Sequence, residues 1–135
     1  MLSLATNGLS NSTDNVNHEK LNYVEFAAHD LKATCGFFHA AFAWDFTWYG
    51  EDYASFSNQG LDGGFYKADM NTRVEDGAAL LVLYSRDLES TMQKVTAAGG
   101  KVCKDIFDFP GGRRFHFKEP SGNELAVWSE QNPKL

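Results

Sequence analysis

The stretch Tyr23-Val24-Glu25-Phe26-Ala27-Ala28-His29-Asp30-Leu31-Lys32-Ala33-Thr34-Cys35 decides the fold. Its first part alternates: Tyr23 and Glu25 fall on one face, Val24 and Phe26 on the other, which predicts a strand over Asn22 to Ala27. Asp30 then stands where a helix N-cap belongs, because its short carboxyl can take the orphan amides of the first turn. Leu31, Thr34, Cys35, Phe38 and Phe42 recur at helical spacing, so a helix runs from Leu31 to about Phe42.

The same order returns 57 residues later, Asp30-Leu31 falling on Asp87-Leu88. Thr34 falls on Thr91, Ala40-Ala41 on Ala97-Ala98, and strand residues Val24 and Phe26 on Leu81 and Leu83. Ala78 to Tyr84 reads as a strand buried on both faces. Leu88 to Ala98 reads as a helix burying Leu88, Thr91, Val95 and Ala98, with Gly99-Gly100 as its stop. An internal repeat of this kind means two copies of one supersecondary unit.

Working outward, Trp44, Phe46 and Trp48 alternate with polar neighbours as a strand does. Gly50-Glu51-Asp52 turns the chain, and Tyr53 to Asn58 and Gly63 to Tyr66 give two more strands. In the second copy Lys101 to Phe109, Arg113 to Lys118 and Glu124 to Trp128 are strand-like. Pro110-Gly111-Gly112 and Pro120-Ser121-Gly122-Asn123 supply the turns between them. The reading is α+β: tandem βαβββ modules forming a cupped mixed sheet. Residues 1–20 are a flexible polar tail, 21–66 the first module, 67–77 a linker, 78–130 the second module and 131–135 a C-terminal tail.

Composition narrows the function. Within 135 residues, 43% are hydrophobic and eleven are Phe, enough for a packed core or for an aromatic-walled cavity. The net charge is −6 and the pI about 5.1. That balance argues against nucleic acid and anionic membrane surfaces, both of which call for clustered Lys and Arg. Cys35 and Cys103 lie far apart with no CxxC spacing, and the N-terminus shows no secretion signal, so the expected compartment is a reducing cytoplasm. The longest apolar run, Ala78 to Tyr84, falls far short of a membrane span of about 20 residues.

Five stretches, taken in order, resemble one known family. They are Tyr23-Val24-Glu25-Phe26 with His29-Asp30-Leu31; Phe37-Phe38-His39-Ala40-Ala41-Phe42-Ala43-Trp44, where the family often shows an aromatic pair and then Phe-Gly-Trp; Asp62-Gly63-Gly64-Phe65; Ala97-Ala98-Gly99-Gly100-Lys101-Val102; and Phe117-Lys118-Glu119-Pro120-Ser121-Gly122-Asn123-Glu124-Leu125. Together they resemble the vicinal-oxygen-chelate superfamily, that of glyoxalases, bleomycin resistance proteins and extradiol dioxygenases, in its glyoxalase-related branch. The resemblance implies two sheets curled around a cup, commonly within a homodimer, and a divalent metal in many members. It places the ligands of metal-using relatives at Tyr23, Leu80, Ala126 and near Phe65 or Tyr66. Leu and Ala carry no donor atoms and neutral Tyr is a poor one. The expectation is therefore no metal and no other cofactor.

What remains is a cup without a metal. Glu25 and His116 are the candidate catalytic groups, set as polar residues in an otherwise apolar pocket. Tyr23, Trp48, Leu80, Tyr84 and Trp128 are candidate walls. Arg113, beside the flexible Gly111-Gly112 turn, is a candidate clamp for an anionic group. The blander alternatives stay open: a solvated Glu25, an exposed strand His116 and a solvated hairpin tip at Arg113. Strand alternation groups Arg114, His116 and Lys118 on one face and Phe115 and Phe117 on the other, without saying which face lines the cup. Three functions follow. The first is a metal-independent binder of a small aromatic or apolar molecule. The second is a lyase or isomerase of the glyoxalase type acting on a small carbonyl compound. The third is a regulatory dimer whose pocket is filled by its own side chains.

Overall fold

The computed structural model describes residues 16–131. The expected tails at 1–20 and 131–135 therefore lie mostly outside the described residues; only 16–20 and Gln131 fall within them, all exposed.

The first module runs β1 (Tyr23–Ala28), α1 (Leu31–Phe42), β2 (Thr47–Trp48), β3 (Tyr53–Phe56) and β4 (Asp62–Lys67). The second runs β5 (Leu81–Tyr84), α2 (Leu88–Ala97), β6 (Lys101–Phe109), β7 (Gly112–Lys118) and β8 (Glu124–Glu130). A short 3₁₀ turn, Val74–Asp76, lies between them. Each module forms its own four-stranded mixed sheet, in the orders β1-β4-β3-β2 and β5-β8-β7-β6. In each, the first strand pairs in parallel with the last, and the rest is antiparallel. The duplication expected from the 57-residue offset is thus a duplication of topology.

Both Asp caps form. Asp30 Oδ1 accepts from the Ala33 amide at 3.0 Å, and Asp87 Oδ1 from the Ser90 amide at 3.2 Å. Helix α1 closes on Ala43, which sits at φ 62° and donates its amide back to His39 O. A left-handed residue at a helix end is ordinarily glycine.

One core unites the two modules, because α1 packs both ways. Phe38 faces the first sheet, stacked on Trp44 at 4.6 Å and near Phe65 at 5.5 Å. Its neighbour Phe37 faces the second, 5.7 Å from Phe117. Gly100 makes room for it: a Cβ there would stand 2.7 Å from the Phe37 ring.

Two expectations need correction. Trp44 and Phe46 alternate like strand residues, yet only Thr47–Trp48 pairs as strand. The preceding segment is held by packing, Trp44 being wedged between Phe38 and Phe56. The apolar run 78–84 is strand only from Leu81, and it is not buried on both faces. Leu81 and Leu83 pack on the core, but Val82 is 43% and Tyr84 52% exposed, because no helix covers that side of the sheet.

Candidate functional site

Register assigns each residue to a face. In the first sheet Phe26, Ala54, Phe56 and Phe65 face the helices. Tyr23, Glu25, Tyr53, Ser55 and Tyr66 share the opposite, helix-free face. There the Tyr53 hydroxyl donates to Glu25 Oε2 at 2.9 Å. Since that proton is committed, Tyr23 donates in turn to Tyr53 at 2.6 Å. Burial, and then the hydrogen bonds with Tyr23 and Glu25, push the Tyr53 hydroxyl far above its ordinary range. Gly63-Gly64 explains how this fits. A Cβ at Gly64 would stand 2.3 Å from the Tyr53 hydroxyl, and one at Gly63 would stand 2.7 Å from the Phe56 ring. The bare backbone lets one ring lie flat on each face of β4.

In the second sheet Phe115, Phe117, Leu125 and Val127 face the core. The helix-free face carries Val82, Tyr84, Arg114, His116, Lys118, Glu124, Ala126 and Trp128. Aromatic contacts run across it. Trp128 packs edge-on to Tyr84 at 5.3 Å and against Phe109 at 6.4 Å. The Arg114 guanidinium lies over Phe107 at 5.2 Å and Phe109 at 5.6 Å. Tyr84 donates a hydrogen bond to Glu130.

His116 is 3% exposed, so the exposed-strand alternative is ruled out. Its Nδ1 meets Glu124 Oε2 at 2.9 Å. Burial alone would raise the Glu124 carboxyl, but the hydrogen bonds from His116 and the Val74 amide hold it below the usual carboxylate range.

The candidates thus fall into three groups. Tyr23 and Glu25 lie on the first helix-free face; Leu80 (half-buried, just before β5), Tyr84, His116 and Trp128 lie on or beside the second. Glu25 and His116 are each partnered within their own sheet and are not in contact. Trp48 and Arg113 lie elsewhere. Trp48 pairs with Ala54 and so shares the helix side, where it lines clefts of about 300 and 660 Å³ with Lys32. Arg113 is ion-paired with Glu89 of α2. The arginine on the helix-free face is its neighbour Arg114, which shares strand parity with His116 and Lys118.

A polar hub that sequence reading registered only as a turn joins the modules. Glu119, 2% exposed, accepts from Thr34 Oγ1 at 2.6 Å, the Ser121 amide at 2.8 Å and Asn123 Nδ2 at 2.6 Å. Asn123 Nδ2 also donates to Ala27 O at 2.8 Å, and its Oδ1 accepts from the Thr72 amide at 2.8 Å. Burial pushes the Glu119 carboxyl up despite these bonds. The hub lies on core and connector and reads as structural.

These features meet in one family. The family model described as Glyoxalase/Bleomycin resistance protein/Dioxygenase superfamily matches residues 20–127, and the chain belongs to that superfamily. Among solved structures, it is similar to a glyoxalase-related enzyme from Fulvimarina pelagi (16% identity, 83% of this chain and 88% of that one, TM-score 0.70). It is also similar to the genomically encoded fosfomycin resistance protein FosX from Listeria monocytogenes (15%, 82% and 93%, TM-score 0.68). A third is lactoylglutathione lyase from Agrobacterium tumefaciens (15%, 82% and 93%, TM-score 0.63). At these identities the likeness carries the fold. No curated protein sequence matches the chain.

The donor set does not fit the divalent metal that the family implies. Of the implied positions, Ala126 and Phe65 are fully buried without donors, Leu80 has none, Tyr66 offers only a neutral phenol, and the Tyr23 hydroxyl is engaged with Tyr53. Among the described residues no group of three or more His, Cys, Asp or Glu is arranged to hold a metal. Among them, too, no helix is long and apolar enough to cross a membrane.

Proposed function

We propose that the two helix-free faces bind a small aromatic or apolar molecule in a cup that works without the family-type metal and is completed by a second copy of the chain. The observation that carries this is the exposed apolar surface on those faces: Tyr23 at 43%, Val82 at 43% and Tyr84 at 52%. Val82 and Tyr84 are neighbours on one strand face, and adjoining exposed apolar groups mark a binding surface. A second copy is favoured because β1 and β5 are each hydrogen-bonded on one side only, leaving strand edges beside those faces. The helix-side clefts around Trp48 are the rival site. They are open grooves of mixed charge, and Lys67 Nζ there is already spent on His29 O at 3.3 Å. With one buried and one exposed free thiol, the protein suits a reducing cytoplasm.

The second reading, a glyoxalase-like lyase or isomerase acting on a small carbonyl compound, is favoured by the His116–Glu124 pair, since a carboxylate-held imidazole is equipped to move protons. Thermal-shift measurements with planar aromatic compounds and with Zn, Ni, Mn and Fe salts test both. Stabilisation by aromatics alone, in a particle of twice the 15.0 kDa chain mass, is the expected result. Tight stoichiometric metal would overturn the metal-free cup.

A further inference from the structure

His116 carries more than its ion pair. A carboxylate only accepts hydrogen bonds, so the proton shared with Glu124 sits on His116 Nδ1. In the neutral ring Nε2 is then a bare lone pair. That atom is buried and has no partner, as does Arg114 Nε two residues along the same strand face. Side chains so placed stand roughly 7 Å apart. The Phe107 ring lies against both, 6.0 Å from the His116 ring and 5.2 Å from the Arg114 guanidinium. Phe107 belongs to the edge strand β6, just after two breaks in its pairing register with β7. Such irregular edge positions re-aim side chains and yield readily. Cations stand near the imidazole: Lys104 lies opposite in register and over Phe107, and Arg114 and Lys118 are on the same strand, while the carboxylate that touches the ring is Glu124. Burial, and then the Glu124 charge, raise the Cys103 thiol and keep it neutral.

We propose that this corner of the second helix-free face receives an acidic hydroxyl group, a phenol or an enol, and takes its proton. The inference rests on the cup reading above and names the chemistry of its ligand. Phe107 swings aside and the hydroxyl approaches Nε2. The O–H bond breaks, an N–H bond forms at Nε2, and the electron pair stays on oxygen. The oxyanion is met by the new imidazolium and by Arg114, while Glu124 remains ionised and balances the imidazolium. Glu124 is a positioning residue, since it fixes the tautomer without touching ligand. Trp128 and Tyr84 supply the aromatic wall beside Phe109.

The test uses the full wild-type chain and two chromogenic compounds, at a pH where free 4-nitrophenol is mostly protonated. On binding, 4-nitrophenol gives a saturable phenolate absorption band, equivalent to an ionisation lowered by at least one pH unit, about tenfold in phenolate fraction. 4-Nitroanisole, the same ring without the hydroxyl, binds more weakly. The phenolate band is lost in a folded His116→Gln variant and reduced in Glu124→Gln. If 4-nitrophenol binds as the neutral phenol, or no more tightly than 4-nitroanisole, the proton acceptor is refuted while the cup stands. If neither compound binds, the cup reading itself fails.

Discussion

Replacing Asn123 by Ala tests the hub that joins the modules. The position is fully buried, and the change removes both hydrogen bonds donated by Nδ2 and both accepted by Oδ1. Ala27 O and Glu119 Oε2 are then left without that donor in the interior, whereas Thr72, partly exposed, can turn to water. A buried polar group stranded in this way costs about 1–3 kcal/mol. Ala27 O is stranded outright, whereas Glu119 Oε2 keeps the longer bond from the residue-123 backbone amide at 3.4 Å, so the predicted loss is roughly 2–3 kcal/mol, a large share of the 5–15 kcal/mol typical of a domain. Urea unfolding followed by circular dichroism reads it as a lower midpoint with an unchanged slope. A loss below about 1 kcal/mol would refute the reasoning, since it would mean that these acceptors are satisfied without Asn123.

Other substitutions and pH probe separate parts of the fold. Ala43→Gly relieves a left-handed alanine at the end of α1, so thermal unfolding should rise by several degrees, about 1 kcal/mol. Gly64→Ala should lower stability by about 1–3 kcal/mol in the same assay, because its Cβ collides with Tyr53 and lifts that ring off Glu25. The two unusual carboxyls carry opposite pH signatures. Glu124 is lowered in the fold, so its contribution is present above the ordinary value of 4.5 and is lost as pH falls through the folded value. Glu119 is raised, so its contribution is full below that ordinary value and is lost as pH rises through the folded one. Urea midpoints against pH should therefore lose their acid limb in Glu124→Gln and their higher-pH decline in Glu119→Gln.

The elements set by local chemistry were legible in the sequence. Asp30 and Asp87 cap their helices as their positions demand, and α1 begins and ends where its apolar stripe does. The glycine pair in β4 and the turn at 120–123 stand where the motifs place them. Alternation gives parity but not orientation, so the turn beside Arg113 marks it as a clamp candidate without saying which way it points. The chain turns that residue toward α2 and Glu89 and leaves Arg114 on the helix-free side. The face of Trp48 was illegible for a related reason: its strand is two residues long, and only pairing with Ala54 puts it on the helix side. Trp44 and Phe46 mimic a strand because both side chains serve the same core from an irregular segment. The hub was illegible because its bonds, such as Thr34 to Glu119 and Ala27 to Asn123, span 85 and 96 residues.

Tryptophan fluorescence separates the helix-free cup from the helix-side groove most directly. The chain has three tryptophans. Trp44 is buried in the core, Trp48 lines the groove and Trp128 stands in the aromatic strip of the second helix-free face. Two variants, each keeping only Trp48 or only Trp128 with phenylalanine at the other two positions, are titrated with 4-nitroanisole, whose nitroaromatic ring quenches indole emission on contact. The cup predicts saturable quenching of the Trp128-only protein and none beyond simple collision in the Trp48-only protein. Saturable quenching confined to Trp48 would contradict it and move the site to the groove.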